Sequence, residues 1–151
     1  MTTLQGRGLV SGRGCGPAVV TRMPVNFTAS FSKLVNLLPG KRAVVQDRHH
    51  ELYRQGLEGK VLVFPAAIGS TYTGMMLLEL MYRGSAPAAL VVKNADSLLV
   101  SGAVLADVWF KRAAPIVEYR RDDLFDEIRT GDQVEVDGGT GEIRVSRSRG
   151  Q

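Results

Sequence analysis

The chain has 151 residues, of which 44% are hydrophobic and 23% charged, and its net charge is +4. This composition is typical of a globular protein, and the length suits one domain with a sizeable core. The mild positive charge forms no basic stretch with interleaved aromatic side chains, which disfavours nucleic-acid binding. No apolar run could span a bilayer, and the first residues lack the pattern of a secretory signal, so we expect a cytoplasmic protein without membrane contact.

Cysteine and histidine are too few for a metal site on this chain alone. Cys15 is the single cysteine, which excludes an internal disulfide and a self-contained cysteine-ligated iron–sulfur cluster, because such a cluster needs about four protein ligands. The two histidines are adjacent, His49 and His50, and neighbours rarely point at one metal from a regular element. We expect no metal and no cofactor bound by this chain by itself.

The opening GRGLVSGRGCGPAVVTR predicts two short strands, at 9–10 and 18–20, around a glycine-rich turn that contains Cys15. The region after it is irregular, and long loops in compact domains are often functional. Lys60–Pro65 then predicts a strand that is buried on both faces. A helix over GMMLLELMY that stops at Gly84, and a second buried strand in Ala86–Val92, complete a βαβ unit with parallel strands.

The remaining third of the chain predicts two helices, a strand and a hairpin. Asp96 is a candidate N-cap for a helix over DSLLVSGAVLADVWF, APIVEY predicts a short strand, and Asp122 is a candidate N-cap for a short helix. QVEVDGGTGEIRV alternates around Asp137–Gly139, which predicts a hairpin with one buried face. We therefore expect one α/β domain over residues 1–151, with the basic tail 146–151 as a candidate for disorder.

The uncharged turn IGSTYTG, residues 68–74, lies between the first strand and the helix of the βαβ unit. The fold alone could require it, because Ser and Thr cap helices and Gly relieves steric strain. It could also bind a ligand, since ligands of open parallel sheets lie beyond the carboxyl ends of the strands. The turn lacks the lysine of a Walker loop and the G-x-S-x-G of a nucleophile elbow. Nothing in the sequence brings a histidine to Ser70 for a Ser–His–Asp triad.

Three segments together resemble a known family. The run GKVLVFPAAIGSTYTGMMLLEL…GSAPAALVV, the glycine-rich opening and the ending TGDQVEVDGGTGEIRV resemble the small subunit of aconitase-X-type dehydratases. The resemblance implies a swivelling β/β/α domain like that of aconitase, with a parallel βαβ core and β-hairpins. It also implies the removal of water from a small hydroxy acid, since family members dehydrate cis-3-hydroxy-L-proline or phosphomevalonate.

The resemblance implies a division of labour between two chains. A large subunit would hold the iron–sulfur cluster, and this chain would supply Ser70 as the base that abstracts the substrate α-proton. Gly69, Thr71 and Thr73 would line the substrate beside that serine. Arg48 and His49 are candidates for binding the substrate carboxylate or phosphate, because arginine makes paired hydrogen bonds with such groups.

Departures from the family pattern leave the substrate open. Tyr72 is larger than the small residues that are common after the serine, and DRHHELYRQG keeps an aspartate, a histidine and a glycine but lacks the usual proline. Two other functions stay possible: a noncatalytic assembly subunit, and a phosphohistidine-type swivel carrier, although the turn at Ser70 contains no histidine. We expect Trp109 and Phe110 in the core or at a subunit contact.

Overall fold

The structure is a computed structural model that describes residues 1–31, 43–69 and 71–149. Within these ranges the strands form one sheet in the order β1-β8-β7-β3-β4-β5-β6-β2. The strands are β1 (Thr2–Gln5), β2 (Arg7–Val10), β3 (Arg13–Val20), β4 (Val61–Phe64), β5 (Ala89–Val92), β6 (Ile116–Glu118), β7 (Gln133–Asp137) and β8 (Glu142–Ser146). The helices are α1 (Phe27–Phe31), α2 (Thr73–Tyr82), α3 (Ser97–Phe110) and α4 (Leu124–Glu127).

Four parallel strands form the middle of the sheet. β3 pairs with β4, β4 with β5, and β5 with β6, all in parallel. β4 and β5 are buried along their whole length, as their continuous apolar sequences predict. The predicted βαβ unit is therefore confirmed. Because the strands are parallel, their C-terminal ends meet at one edge, which we call the C-terminal edge.

Side chains of β4 alternate between two cores. Leu62 and Phe64 pack with α1, α2 and α3 on one side of the sheet. Val61 and Val63 pack on the other side against the antiparallel strands β1, β7 and β8 and helix α4. The result is an antiparallel layer, a parallel layer and a helical layer, which confirms the predicted β/β/α architecture.

The glycine-rich opening is not the turn that the sequence predicts. Gly14 and Gly16 lie inside β3, where that strand passes close to other backbone segments. A Cβ atom on Gly14 would lie 2.0 Å from the carbonyl oxygen of Ala88, and one on Gly16 would lie 2.2 Å from that of Gly59. Glycine is needed here for close approach between segments, a tertiary requirement that the local sequence does not reveal.

The helix and hairpin predictions have mixed outcomes. Asp96 caps α3, since its Oδ1 accepts a hydrogen bond from Leu99 N at 2.8 Å, and the β7–β8 hairpin is confirmed. Asp122 is not the cap of α4: its carboxylate pairs with Lys93 Nζ at 2.7 Å, and the helix follows Asp123. Trp109 and Phe110 are 61% and 40% exposed, which excludes the core as their place.

The first residues after β8 are held against the rest of the fold. Arg147 Nη1 lies 2.8 Å from Asp132 Oδ2, and Ser148 N lies 3.4 Å from the other oxygen of that buried carboxylate. Gly150 and Gln151 lie outside the described residues. Within the described part of the chain, no helix has the length and apolar character needed to cross a bilayer.

Candidate functional site

The loop that follows β4 is the centre of the candidate site at the C-terminal edge. It is held by a parallel bridge between Val25 and Ala67. Val25 N donates to Ala66 O and Ile68 N donates to Val25 O, each at 3.0 Å. These hydrogen bonds form an isolated β-bridge beyond the ends of β3 and β4 and fix the backbone of the loop as far as Ile68.

Gly69 has a backbone conformation and a close contact that other residues would not tolerate. Its φ is +98°, in the left-handed region. A Cβ atom there would lie 2.4 Å from Asn26 Nδ2, and the Oδ1 atom of Asn26 accepts from Ala29 N in α1. The chain can therefore turn sharply beside the start of α1. Ser70, the predicted base, lies outside the described residues.

Helix α2 begins at Thr73, four residues after Gly69. Thr71 and Tyr72 are exposed, and the first helical hydrogen bond runs from Met76 N to Tyr72 O. Among the described residues, no side chain caps this helix N-terminus. The first N–H groups of a helix have no helical acceptor and carry a partial positive charge, so this terminus favours an anion.

Thr73 does not share the exposure of its neighbours in the loop. Its side chain is part of the first turn of α2 and is only 2% exposed. The structure thus brings Gly69 and Thr71 together on the exposed part of the loop and places Thr73 in the interior. The sequence predicts a substrate contact for Thr73, but a side chain that is buried in this chain is not accessible to a substrate at the loop surface.

Arg48 and His49 reach the same edge of the sheet through their neighbour His50. That histidine is buried, its Nδ1 accepts from Leu52 N at 3.0 Å, and its Nε2 lies 3.4 Å from Met23 O. Met23 belongs to the loop that follows β3. The Asp47 carboxylate accepts from His49 N at 3.0 Å and fixes the turn. Arg48 and His49 are exposed beside the loop after β3, whereas His50 has a structural role.

Arg54 adds a second positive charge near Arg48, and both arginines act on the hydroxyl of Tyr53. Sequence reasoning missed Tyr53 and Arg54. The Arg54 guanidinium lies 5.2 Å from the ring centre of Tyr53. A hydrogen bond from Arg54 lowers the pKa of the Tyr53 hydroxyl below its usual value, and the charge of Arg48 acts in the same direction. The signal available in the sequence was Arg48 in DRHH followed closely by the pair Tyr53–Arg54 in ELYRQ.

The described residues do not supply a metal centre. They contain no group of three or more His, Cys, Asp or Glu side chains that could hold a metal ion. Cys15 is exposed on β3, and its neighbours in the adjoining surface cleft include Arg13, Glu135 and Arg144. The donor set of this chain therefore does not fit an iron–sulfur cluster, which needs about four sulfur or histidine ligands.

Comparisons with known proteins agree with the resemblance found in the sequence. Residues 3–145 match the sequence model of the family described as "Aconitase X swivel domain". The phosphomevalonate dehydratase small subunit of Methanocella arvoryzae is 31% identical over 143 residues, which cover 95% of this chain and 98% of that protein. The subunit of the same name from Methanopyrus kandleri is 37% identical over 135 residues, covering 87% of this chain and 95% of that one.

Solved structures show the same fold. Aconitase X of Thermococcus kodakaraensis, in its holo-form, superposes with a TM-score of 0.81 at 28% identity, covering 97% of this chain and 100% of the matched chain. A 3-isopropylmalate dehydratase of Methanocaldococcus jannaschii gives a TM-score of 0.57 at 16% identity, covering 92% of this chain and 84% of the other. At that identity the second likeness extends to the fold alone.

Proposed function

Because the chain belongs to the aconitase X swivel-domain family, we propose that it is the small subunit of a heteromeric hydro-lyase that removes water from a small hydroxy acid. The observation that carries this proposal is the match to small subunits named phosphomevalonate dehydratase, which runs along 95% of this chain and 98% of one relative. The loop after β4 lies at the C-terminal edge of a parallel sheet, where ligands of such folds bind.

Ser70 is the base in this proposal. It lies between Gly69 and the first turn of α2, and its Oγ would take the proton from the substrate α-carbon. A serine hydroxyl is a poor base in water and becomes effective when nearby N–H donors or a cation stabilise its alkoxide. The N-terminus of α2 supplies N–H donors and a partial positive charge a few residues away.

Arg48 and His49 are proposed to bind the anionic end of the substrate. Both are exposed at the C-terminal edge, where the turn that contains them packs on the loop after β3. Arg48 and Arg54 place two guanidinium groups around Tyr53 at this part of the edge, and guanidinium groups bind carboxylates and phosphates. Phosphomevalonate carries both groups, as the name of the relatives' substrate states, so it is the first substrate to test.

The iron–sulfur cluster is proposed to belong to a large subunit. When that partner holds it, the cluster supplies a Lewis acid for the leaving hydroxyl group. The tasks of this chain are to present Ser70, to hold the substrate anion and to exclude water from the shared site. A chain with these tasks should fold alone and have no activity alone.

The test is a dehydration assay on the chain produced with the aconitase-X-type large subunit of the same organism. The substrates are phosphomevalonate, cis-3-hydroxy-L-proline and further small hydroxy acids, with each subunit alone as the control. Activity that requires both subunits supports the proposal. A complex that dehydrates none of these compounds would instead favour the assembly subunit, and phosphate transfer to exposed His49 would favour the swivel carrier.

A further inference from the structure

Exposed apolar side chains are concentrated on one layer of this molecule. Of the large apolar residues that the described part of the chain exposes, all but Met1 and Met23 lie in the loop after β4, on α2 or on α3. We call this set the helical face; it comprises Ile68, Tyr72, Met75, Tyr82, Leu98, Val104, Leu105, Val108, Trp109 and Phe110. Scattered exposed apolar residues are normal, but a concentration of this kind marks an interaction site.

Helix α3 is apolar on its outer side as well as on its inner side. Leu99, Ala103 and Ala106 are buried against the sheet and α2. Leu98, Leu105 and Trp109 follow one line about a quarter turn from the buried side. The exposed Val104 and Val108 lie opposite the buried side. Asp107 is the single charged residue among the 14 residues of the helix. A helix with apolar residues all round is typical of one that is covered on all sides.

The helical face is continuous with the candidate site at one of its ends. α2 and α3 touch so closely that a Cβ atom on Gly102 would lie 2.0 Å from Gly74 O, and one on Gly74 would lie 2.7 Å from Leu98 O. This contact sets Leu98 beside the first turn of α2, where Tyr72 and Met75 are exposed. Apolar surface thus extends from the loop of Gly69 onto α3.

Aromatic residues form the other end of the helical face. The ring centres of Tyr82 and Phe110 are 4.7 Å apart, and those of Trp109 and Phe110 are 6.2 Å apart. The Arg112 guanidinium lies 5.8 Å from the Tyr82 ring centre, at the rim of the group. Large aromatic side chains with a basic residue at the rim are the composition found at the energetic centres of protein interfaces.

We propose that the helical face docks onto the large subunit and that Trp109, Phe110 and Tyr82 anchor the end of the interface remote from the loop. This inference rests on the proposed function, which requires the large subunit to reach the loop. A helix of 14 residues is about 20 Å long. One partner can therefore cover both the loop and α3 within a standard footprint of about 800 Å² per side.

A second copy of this chain fits the same surface less well. Because the helical face is continuous with the loop, a copy seated along it would cover the loop and exclude the partner that completes the site. The near absence of charge on α3 also defines the partner: the matching surface of the large subunit is apolar. Its association should therefore depend little on salt, since screening weakens contacts between charges.

The experiment measures the dissociation constant of the small and large subunits by calorimetry. Trp109→Ala removes an apolar anchor and Val108→Lys places a charge among apolar contacts, so each should raise the dissociation constant at least about tenfold. Gln133→Lys is the matched control, because it places the same charge at an exposed position on β7, and it should change nothing. Circular dichroism of each variant alone checks that it folds.

A second readout uses Trp109 itself, which is the single tryptophan of the chain. Incorporation of 5-fluorotryptophan into this subunit alone gives one fluorine signal, which should shift or broaden when the unlabelled large subunit is added. An unchanged signal, or unchanged affinities for both variants, would overturn the inference. So would a dimer of the isolated chain that Val108→Lys dissociates, because the occupant would then be a second copy.

The outcomes separate the inference from the proposed function. If Trp109→Ala weakens association while the wild-type complex dehydrates no tested hydroxy acid, the docking surface stands and the function fails. If the complex is active and neither variant affects its assembly, the function stands and the docking surface fails.

Discussion

The antiparallel layer and the helical layer present different surfaces to solvent. Along β7 and β8, buried valine and isoleucine alternate with exposed charged residues such as Glu135 and Arg144. Along α3, the outward positions are Leu98, Val108 and Trp109. The antiparallel layer buries its apolar side chains and exposes charged ones, whereas the helical layer leaves several large apolar side chains exposed to solvent. This difference is the reason for proposing that the helical layer packs against another chain, on the same side as the loop after β4.

The largest expected effect tests whether the loop on that side is catalytic. Ser70→Ala should lower the turnover of the complex by about 10²–10⁴-fold, since that is the usual contribution of a general base. Assembly with the large subunit should be unchanged. The matched control is Ser146→Ala, which removes the same hydroxyl from an exposed position on β8 and should leave turnover unaltered. Wild-type turnover in Ser70→Ala would remove the serine from the mechanism.

The position of the loop after β4 could be predicted from the sequence, but the tertiary contacts of the segments around it could not. The β4–α2–β5 unit and the β7–β8 hairpin depend on local periodicity and turn residues, which are visible in the chain. Gly14 appeared to belong to a turn because its real constraint, the Ala88 carbonyl, comes from a distant segment. Similarly, Arg48 reaches the C-terminal edge through the contact of His50 with Met23, and no local pattern encodes such a contact.

The next effect compares the two sides of α3. In the isolated chain, Leu99→Ala should lower the free energy of unfolding by about 2–5 kcal/mol, because Leu99 is fully buried and a cavity remains. Val108→Ala should change it by less than about 0.5 kcal/mol, because that side chain is exposed. Urea unfolding measures both values. A large loss in Val108→Ala would mean that the outer side already packs within this chain and needs no partner.

A smaller effect concerns the close contact between the two helices of that layer. In Gly102→Ala the new methyl group would meet the backbone of Gly74, so the helices must move apart. Overpacking of this kind costs about 1–3 kcal/mol in the free energy of unfolding. Gly84→Ala is not a suitable control because Gly84 has a φ of +71°. Ser101→Ala is the control, because Ser101 is exposed beside the same contact and the change removes an atom without adding one; it should have little effect in the same urea titration.

The smallest effect belongs to the antiparallel layer and depends on pH. Hydrogen bonds from the backbone N–H groups of Thr140 and Gly139, together with the charge of Arg13, lower the pKa of the Asp137 carboxyl in the folded chain. A carboxyl group whose pKa is lowered by folding stabilises the fold above its unfolded pKa of about 4. That stabilisation is lost as the pH falls through the lower, folded value.

Asp137→Asn should therefore melt below the wild type at pH 7, and the difference should shrink as the pH falls below about 4. Thermal melts followed by circular dichroism at several pH values measure this. Glu135→Gln is the control, because Glu135 lies on the same strand with an exposed side chain. A difference that stays constant across the whole pH range would show that the hairpin turn depends on the shape of the Asp137 side chain and not on its charge. In that case the charged residues of the antiparallel layer would contribute less to the stability of the fold than their number indicates.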